Sequence, residues 1–424
     1  MAMSRSALSA RPGNTGNGDW DVVEIANSAQ ATIARRAMIS PRAVPAKRDA
    51  CGFVSLSSIA PDRWRALGDN AVEPNGYYLP EWESAVNAFA NGRSDVDALF
   101  ATEGSSLRMT GLMPVMSAWR AYKLPLPVLV GADPYSTLAT PLIDRDLADD
   151  AVAQLMQNAR DAGAHALILR DTPIDGSALA AFTRVLELDG LRPRILNSHV
   201  RACLDATRDA DDLLRDALGP KKLKELRRQR NRLAEHGEVI FSIASEPAEI
   251  ERALETFLDL EASGWKAKRG TALKQDSGDA AFIRHAVMAM AARCNCEVIT
   301  LHAGDTPVAS AVVLRHLDRA FYYKLGVDER FAKFSPGVQL TLELTRHLCA
   351  DPAIKLADST AAPGHPMIDP IWRNRLAIGD VLIPLYRRDP LIPVIRFALA
   401  ARNLVREPAR RAVQFIRYIR EKKS

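Results

Sequence analysis

Glu297-Val298-Ile299-Thr300-Leu301-His302, then Ala303-Gly304-Asp305-Thr306, then Val308-Ala309-Ser310-Ala311-Val312-Val313-Leu314-Arg315: these three stretches decide the fold. The first and third are rich in β-branched and apolar residues, and the middle one carries the Gly and Asp that turn a hairpin. They predict a strand over 297–302, a turn and a return strand over 308–315, with a third strand over 320–327 after Leu317-Asp318-Arg319. The same grammar stands 200 residues earlier, where strands over 97–102 and 107–116 flank Glu103-Gly104-Ser105-Ser106. Two helices precede each hairpin, near 62–67 and 80–90 in the first case and 248–260 and 280–293 in the second. Helix, helix, hairpin, occurring twice, predicts a duplicated α/β (α+β) unit, each copy a mixed central sheet flanked by helices.

Working outward, Phe53-Val54-Ser55-Leu56 reads as a short strand, 147–162 and 177–189 as helices, Ala166-Leu167-Ile168-Leu169 as a strand, and 381–385 as another. At 424 residues and 46.5 kDa the chain is long enough for two domains with tails. Residues 1–49 are rich in Ala, Ser, Asn, Gly and Pro without a sustained apolar period, and read as a disordered leader. The expected domains are 50–210 and 211–385, followed by a tail over 386–424.

Hydrophobic residues make up 47% and charged residues 25%, ordinary values for a soluble globular protein. No run of about 18 apolar residues suggests a spanning helix, and Met1–Ala10 has no apolar core of a secretory signal. The five cysteines are an odd number without a Cys-x-x-Cys pair, so a disulfide framework is not expected and the cytoplasm is the expected compartment. Cys294-Asn295-Cys296 lacks a second close pair of Cys or His, and the eight histidines are dispersed, so no metal is expected. Net charge is +5, unevenly placed: 386–424 holds eleven Arg or Lys against three acids, +8, leaving −3 elsewhere.

Between the halves, Lys221-Lys222-Leu223-Lys224-Glu225-Leu226-Arg227-Arg228-Gln229-Arg230-Asn231-Arg232-Leu233 predicts a basic helix over 220–236, started by Gly219-Pro220 and ended by Gly237. It reads as a solvated connector. The alternative is a basic face for phosphates or tRNA, but no aromatic residues interleave, so nucleic acid is not the expected partner.

Three places suggest chemistry. Phe321-Tyr322-Tyr323-Lys324 runs into Ser335-Pro336-Gly337-Val338-Gln339, where Ser335 is expected to cap a helix and leave the N–H groups of Gly337, Val338 and Gln339 open to an anion. Asp358 ends the strand Ile354-Lys355-Leu356-Ala357 beside a loop, as a turn-former or a site residue. Glu261 extends the helical stripe Ile250, Leu254, Phe257, where partial desolvation suits a general base; the alternative is a frayed end at Ser263-Gly264.

Leu260-Glu261-Ala262-Ser263-Gly264-Trp265-Lys266, the hairpin at Gly304, Tyr322-Tyr323, Phe334-Ser335-Pro336-Gly337, and Asp358 followed by Gly364 and Trp372 together resemble the CelD-like and Fem-like branch of the GNAT acyltransferase superfamily. The resemblance covers about 211–385, and Thr140-Pro141-Leu142-Ile143-Asp144 resembles that branch's first half. It implies two tandem GNAT-like domains and acyl transfer to an amine from acyl-CoA (acetyl-CoA) or, in Fem-type relatives, aminoacyl-tRNA. It also implies a base, Glu261 or Asp358, an acid, Tyr323 or His365, pyrophosphate binding at Ser335, Gly337, Val338 and Gln339, and substrate contacts from Trp265 and Lys266. Two positions depart from the family's pattern. The glycine-rich loop is reduced to Ser335-Pro336-Gly337, and Ile368-Asp369 stand where Fem-type relatives show Tyr-Lys. An Asp there repels a phosphate.

In the tail, Ala409, Ala412, Val413, Ile416 and Ile419 recur at helical spacing among arginines, a basic amphipathic helix able to lie on an anionic membrane surface or pack on protein. The expected protein is an N-acyltransferase acting on a small-molecule or glycan amine in polysaccharide or envelope synthesis, with peripheral contact to the inner membrane face through 386–424. The alternatives are an inactive tandem-GNAT scaffold at the membrane and an aminoacyl-tRNA-dependent transferase.

Overall fold

Strand β1 (Phe53–Ser55) leads to helices α1 (Pro61–Asp69) and α2 (Pro80–Phe89), each opened by a proline whose missing N–H has no partner to lose at that position. Strands β2 (Asp97–Glu103) and β3 (Arg108–Ser117), helix α3 (Ala118–Tyr122), strands β4 (Val128–Gly131) and β5 (Leu142–Ile143), helix α4 (Ala148–Asp161), strand β6 (Ala166–Pro173), helix α5 (Ser177–Leu188) and strand β7 (Arg194–Asp205) complete the first half. The second begins with helix α6 (Ala210–Leu233), strand β8 (Val239–Ala244) and helices α7 (Pro247–Ser263) and α8 (Ser277–Ala291). Strands β9 (Cys296–Ala303), β10 (Thr306–His316) and β11 (Arg319–Val327), helix α9 (Pro336–Ala350), and strands β12 (Leu356–Asp358) and β13 (Asn374–Pro384) follow. A last helix, α10, covers 391–404. This computed structural model describes residues 52–104, 107–263, 270 and 272–404. The expected leader, Trp265, Lys266 and the amphipathic stretch beyond Leu404 lie outside the described residues.

All thirteen strands join one sheet, in the order β1-β2-β3-β4-β6-β13-β7-β12-β11-β10-β9-β8, with β5 on β3. Strands β1 to β4 are antiparallel, and β4 then pairs in parallel with β6. Strands β8 to β11 repeat this antiparallel run, and β11 pairs in parallel with β12 from Arg319↔Leu356 to Phe321↔Asp358. The duplicated α/β architecture expected from the two hairpins is therefore present. The next neighbour in each half is exchanged: β13, late in the chain, lies on β6, and β7, from the first half, lies on β12. These two strands pair with each other from Asn374↔Cys203 to Leu382↔Arg194, at the centre of the sheet.

The expected hairpin is closed by Gly304 at φ 59, and Gly237 at φ 136 lies so close that a Cβ there would come within 2.5 Å of the Gly304 nitrogen. Both positions therefore need glycine. The basic connector begins at Pro220, as expected, and a separate helical stretch precedes it from Ala210. Gly219 between them (φ 70, ψ 166) is not helical, because Pro220 disfavours a helical residue before it. Only Leu214, Leu226 and Leu233 of α6 are buried, and most of its basic side chains are exposed, as a solvated connector requires.

The second half of the sheet is covered on both faces. Helices α7 and α8, joined by α2 from the first half, bury Trp82, Phe257, Phe282, Val312 and Phe321 on one face. Helices α6 and α9 bury Leu226, Leu340, Leu344, Val313 and Trp372 on the other. The halves are also joined by His316, whose Nδ1 accepts from the Asn75 N–H at 2.9 Å while its Nε2 lies 3.0 Å from the Gly68 carbonyl oxygen. A backbone N–H only donates and a carbonyl only accepts, so the ring is neutral with its proton on Nε2. Burial pushes its pKa down to about 4.

Candidate active site at the parting of two strands

Strands β11 and β12 stay paired only as far as Phe321↔Asp358 and then separate. Just past that point β11 carries a β-bulge: Val312 faces Lys324 and Val313 faces Tyr322, leaving Tyr323 as the extra residue. A bulge takes one residue out of the ladder and re-aims its side chain. Tyr322 and Tyr323 serve opposite faces, as strand neighbours do, and the bulge leaves Tyr323 and Lys324 together on one cavity wall. The Tyr322 hydroxyl lies 3.3 Å from Thr341 Oγ1 on α9, whereas Tyr323 packs 4.9 Å from Trp82 and 6.0 Å from Tyr77, both from the first half.

On the Tyr323 side lies a cavity of about 280 Å³, lined by Tyr77, Arg93, Asp133, Tyr135, Ser136, Thr137, Tyr323, Lys324 and Thr360. Six of these nine come from the first half, and the segment Asp133–Thr137 is the chain leaving β4. Trp82 Nε1 donates to Pro134 O at 2.8 Å, and the Tyr135 hydroxyl meets Asp279 Oδ2 at 2.5 Å, which holds that segment against the second half. Arg93 sits 4.2 Å from the Tyr135 ring centroid and 3.3 Å from Asp133, and Lys324 lies 5.2 Å from the same ring. At the throat, Thr360 Oγ1 donates to Tyr322 O at 2.6 Å. Burial holds the Tyr77, Tyr135 and Tyr323 phenols above their ordinary pKa, so all three keep their protons.

Glu261 is 2% exposed, so the frayed-end alternative does not apply. Its Oε2 accepts from Leu273 N at 2.8 Å and its Oε1 lies 3.9 Å from Lys324 Nζ. A Cβ on Gly326 would come within 2.7 Å of the Glu261 nitrogen, so the end of α7 lies directly on β11. Asp358 is fully buried and bonded to Arg201, itself fully buried on β7, while its Oδ1 accepts from Thr360 N at 2.9 Å. Arg201 Nη1 also donates to Thr137 O at 2.6 Å, tying the cavity wall to the sheet. Glu261, Asp358 and His365 are all absent from the cavity lining: Glu261 lies buried behind Lys324, Asp358 behind Thr360, and His365 sits in the loop after β12, its Nδ1 accepting from Met367 N at 3.4 Å.

The expected cap is corrected by the structure. Ser335 takes φ 54, ψ 52, and its hydroxyl makes no capping bond, because the short 3-10 helix Glu329–Phe334 enters α9 through a left-handed residue. Gln339 is also not open: its N–H donates to Ser335 O at 3.0 Å and its side chain to Leu226 O at 2.8 Å. Gly337 and Val338 remain in a first turn with no side-chain cap and no acid, a setting that suits a phosphate. The corresponding helix of the first half, α4, has Asp149 and Asp150 in its first turn, which repel one. Beside α9 a groove of about 330 Å³ against α6 is walled by Arg215, Arg227, Arg230 and Arg346, with Asp211 and Glu343. Arg230 pairs with Glu343 at 2.9 Å and Arg346 with Asp211 at 3.1 Å, which leaves Arg215 and Arg227 as the groove's cations beyond its own two acids, beside the α9 start, residues that suit a phosphate-bearing donor.

Sequence reasoning missed Tyr77, Arg93, the Asp133–Thr137 segment, Arg201, Lys324 and Thr360. The aromatic pairs Tyr77-Tyr78 and Tyr322-Tyr323 were the available signal. Among the described residues no His, Cys, Asp and Glu group is disposed to hold a metal, and no helix is long and apolar enough to cross a membrane.

A strand pair that parts beside a bulge, with a helix N-terminus on one face and a cavity on the other, set within a duplicated sheet, defines a tandem GNAT-type fold. Residues 220–361 match the model of the acetyltransferase (GNAT) domain family. The fold is shared with FemX, at 10% identity and a TM-score of 0.51, over 80% of this chain and 98% of that one. Also matched are the C-terminal domain of a putative lysylphosphatidylglycerol synthetase from Agrobacterium fabrum (14% identity, TM-score 0.48, 80% and 95% coverage) and a tandem GNAT protein from the clavulanic acid biosynthesis pathway (13%, 0.37, 80% and 99%). Among curated proteins no relative matches this sequence.

Proposed function

We propose that this protein transfers an acyl group, acetyl in the simplest case, from acyl-CoA to an amine, on a small molecule or glycan of polysaccharide or envelope synthesis. The observation that carries this reading is the parting of β11 and β12 at Phe321 and Asp358, which lies between the α9 face and the cavity on the other face. The donor phosphates would lie at Gly337 and Val338 and along the arginine-walled groove, with the thioester passing between the strands at the Tyr323 bulge.

The acceptor nitrogen attacks the thioester carbonyl carbon, the C–N bond forms and the C–S bond breaks. The nitrogen's proton leaves toward Glu261, whose Oε1 faces Lys324 on the cavity wall. Tyr323 keeps its proton and donates it in a hydrogen bond to the departing sulfur. Asp358 is a positioning residue, because Arg201 and the Thr360 N–H occupy its oxygens. Trp265 and Lys266 are assigned to substrate contact on sequence grounds alone. Helix α10 exposes Val394, Phe397 and Leu404 beside the basic tail, which supports peripheral membrane contact.

The test is release of free CoA from acetyl-CoA and a longer acyl-CoA across an amine panel, with binding followed by calorimetry. Turnover that falls at least about 100-fold in Glu261→Gln supports the reading. No binding of either thioester overturns it and directs the search to charged tRNA or a scaffold role.

A further inference from the structure

The cavity beside Tyr323 contains polar atoms that nothing in the protein satisfies. The Tyr77 hydroxyl is completely buried and has no partner in hydrogen-bond geometry, although Thr360 is beside it. Arg93 Nε is also buried and unpartnered, while its other nitrogens meet Asp133 at 3.3 Å and Asn91 O at 3.2 Å. The Tyr323 hydroxyl is a third such atom; buried polar groups are almost always bonded, so three orphans on the wall of one cavity point to a ligand that completes them. The orphaned N–H is a donor, the phenol carries a proton that burial keeps in place, and the bordering charges are Arg93, Lys324 and Asp133. Arg93 and Lys324 are each faced by a carboxylate, Asp133 and Glu261, so what is missing is an acceptor for these donors, and a carboxylate offers two oxygens to them.

We propose that Tyr77 and Arg93 hold a carboxylate of the acceptor, so that the acceptor is a small amino acid, free or at the end of a peptide, and not a neutral amino sugar. A volume of about 280 Å³ holds a group of that size, and the rings of Tyr77, Tyr135 and Tyr323 flank its carbon skeleton. In this arrangement the first half selects the acceptor by its acid, and the second half, with Glu261 and Tyr323, acts at its amine. The inference rests on the acyl-transfer reading only for the word acceptor; the carboxylate site stands on the orphaned donors.

The experiment is calorimetry on the full chain, with and without saturating CoA, using glycine, L-alanine and L-lysine, each beside its carboxamide, and D-glucosamine. At least one acid is expected to bind, with its carboxamide and glucosamine at least about 10-fold weaker. Tyr77→Phe is expected to weaken the acid about 10-fold while leaving carboxamide binding where it was, a split that general loosening of the fold does not produce. Arg93→Gln, on the partly exposed wall, gives the same split if Tyr77→Phe does not fold. Binding of no acid, equal binding of acid and carboxamide, or unchanged acid affinity in both variants overturns the proposal. Acid binding without thiol release from any thioester would sink the acyl-transfer reading and leave the carboxylate site. Acylation of glucosamine without acid binding would do the reverse.

Discussion

Arg201 on β7 and Asp358 at the end of β12 form an ion pair in which neither side chain is exposed to solvent. Removing one member of such a pair strands a buried charge and typically costs about 3–5 kcal/mol, whereas replacing both with apolar residues of similar volume is often neutral. Arg201→Met is expected to be strongly destabilising by denaturant unfolding, and Arg201→Met with Asp358→Leu to recover most of the loss. Activity is expected to stay low in the double variant, because Arg201 also holds Thr137 on the cavity wall.

His316 makes stability depend on pH in a defined window. Its folded pKa of about 4 lies below the ordinary 6.5, so between these values the unfolded chain binds more protons and stability falls with acidification. The full effect of this one group is about 3 kcal/mol, present above pH 6.5 and lost as pH drops toward 4. Chemical unfolding at pH 7 and pH 4.5 is expected to show a smaller difference in His316→Gln than in the parent chain.

Tyr322 and Tyr323 are neighbours in sequence with opposite assignments, and the pair is its own control. Tyr323→Phe is expected to lower kcat by about 10- to 100-fold with little change in melting temperature. In Tyr322→Phe, which loses only a 3.3 Å contact with Thr341 on the donor face, kcat is expected to stay within a few-fold. Equal effects on kcat would place the reacting atoms elsewhere.

Phe397 and Leu404 are each 75% exposed on α10, which leads directly into the basic tail. Co-sedimentation with anionic vesicles is expected to fall in Phe397→Asp combined with Leu404→Asp, and to weaken with salt in the parent chain. Binding to neutral and anionic vesicles alike would remove the tail's charge from the account.

Periodicity was a sound guide wherever burial is local. The two hairpins and the Ile250, Leu254, Phe257, Glu261 stripe lie where their patterns place them, and Glu261 is buried as the stripe implies. Strand β7 had no such signal, because Asn197, Ser198, His199 and Arg201 break any apolar alternation. Arg201 is buried by an ion pair with a residue 157 positions away, a relation that no local window contains. Ser335 carries the side chain of a cap, but the preceding turn forces it to φ 54, and backbone geometry overrode propensity. The cavity was illegible for the same reason as β7, since two-thirds of its lining arrives from the other half.

The exchange of β7 and β13 orders events on the ribosome. When β7 has been made, both strands that will flank it, β12 and β13, are still unsynthesised, and β6 also lacks its outer neighbour. Neither half can close its sheet before residues 374–384 emerge, so the nascent chain carries open strand edges for much of its synthesis. Cutting the chain between the halves therefore removes a strand from each, and separately expressed halves are expected to become soluble only when made together.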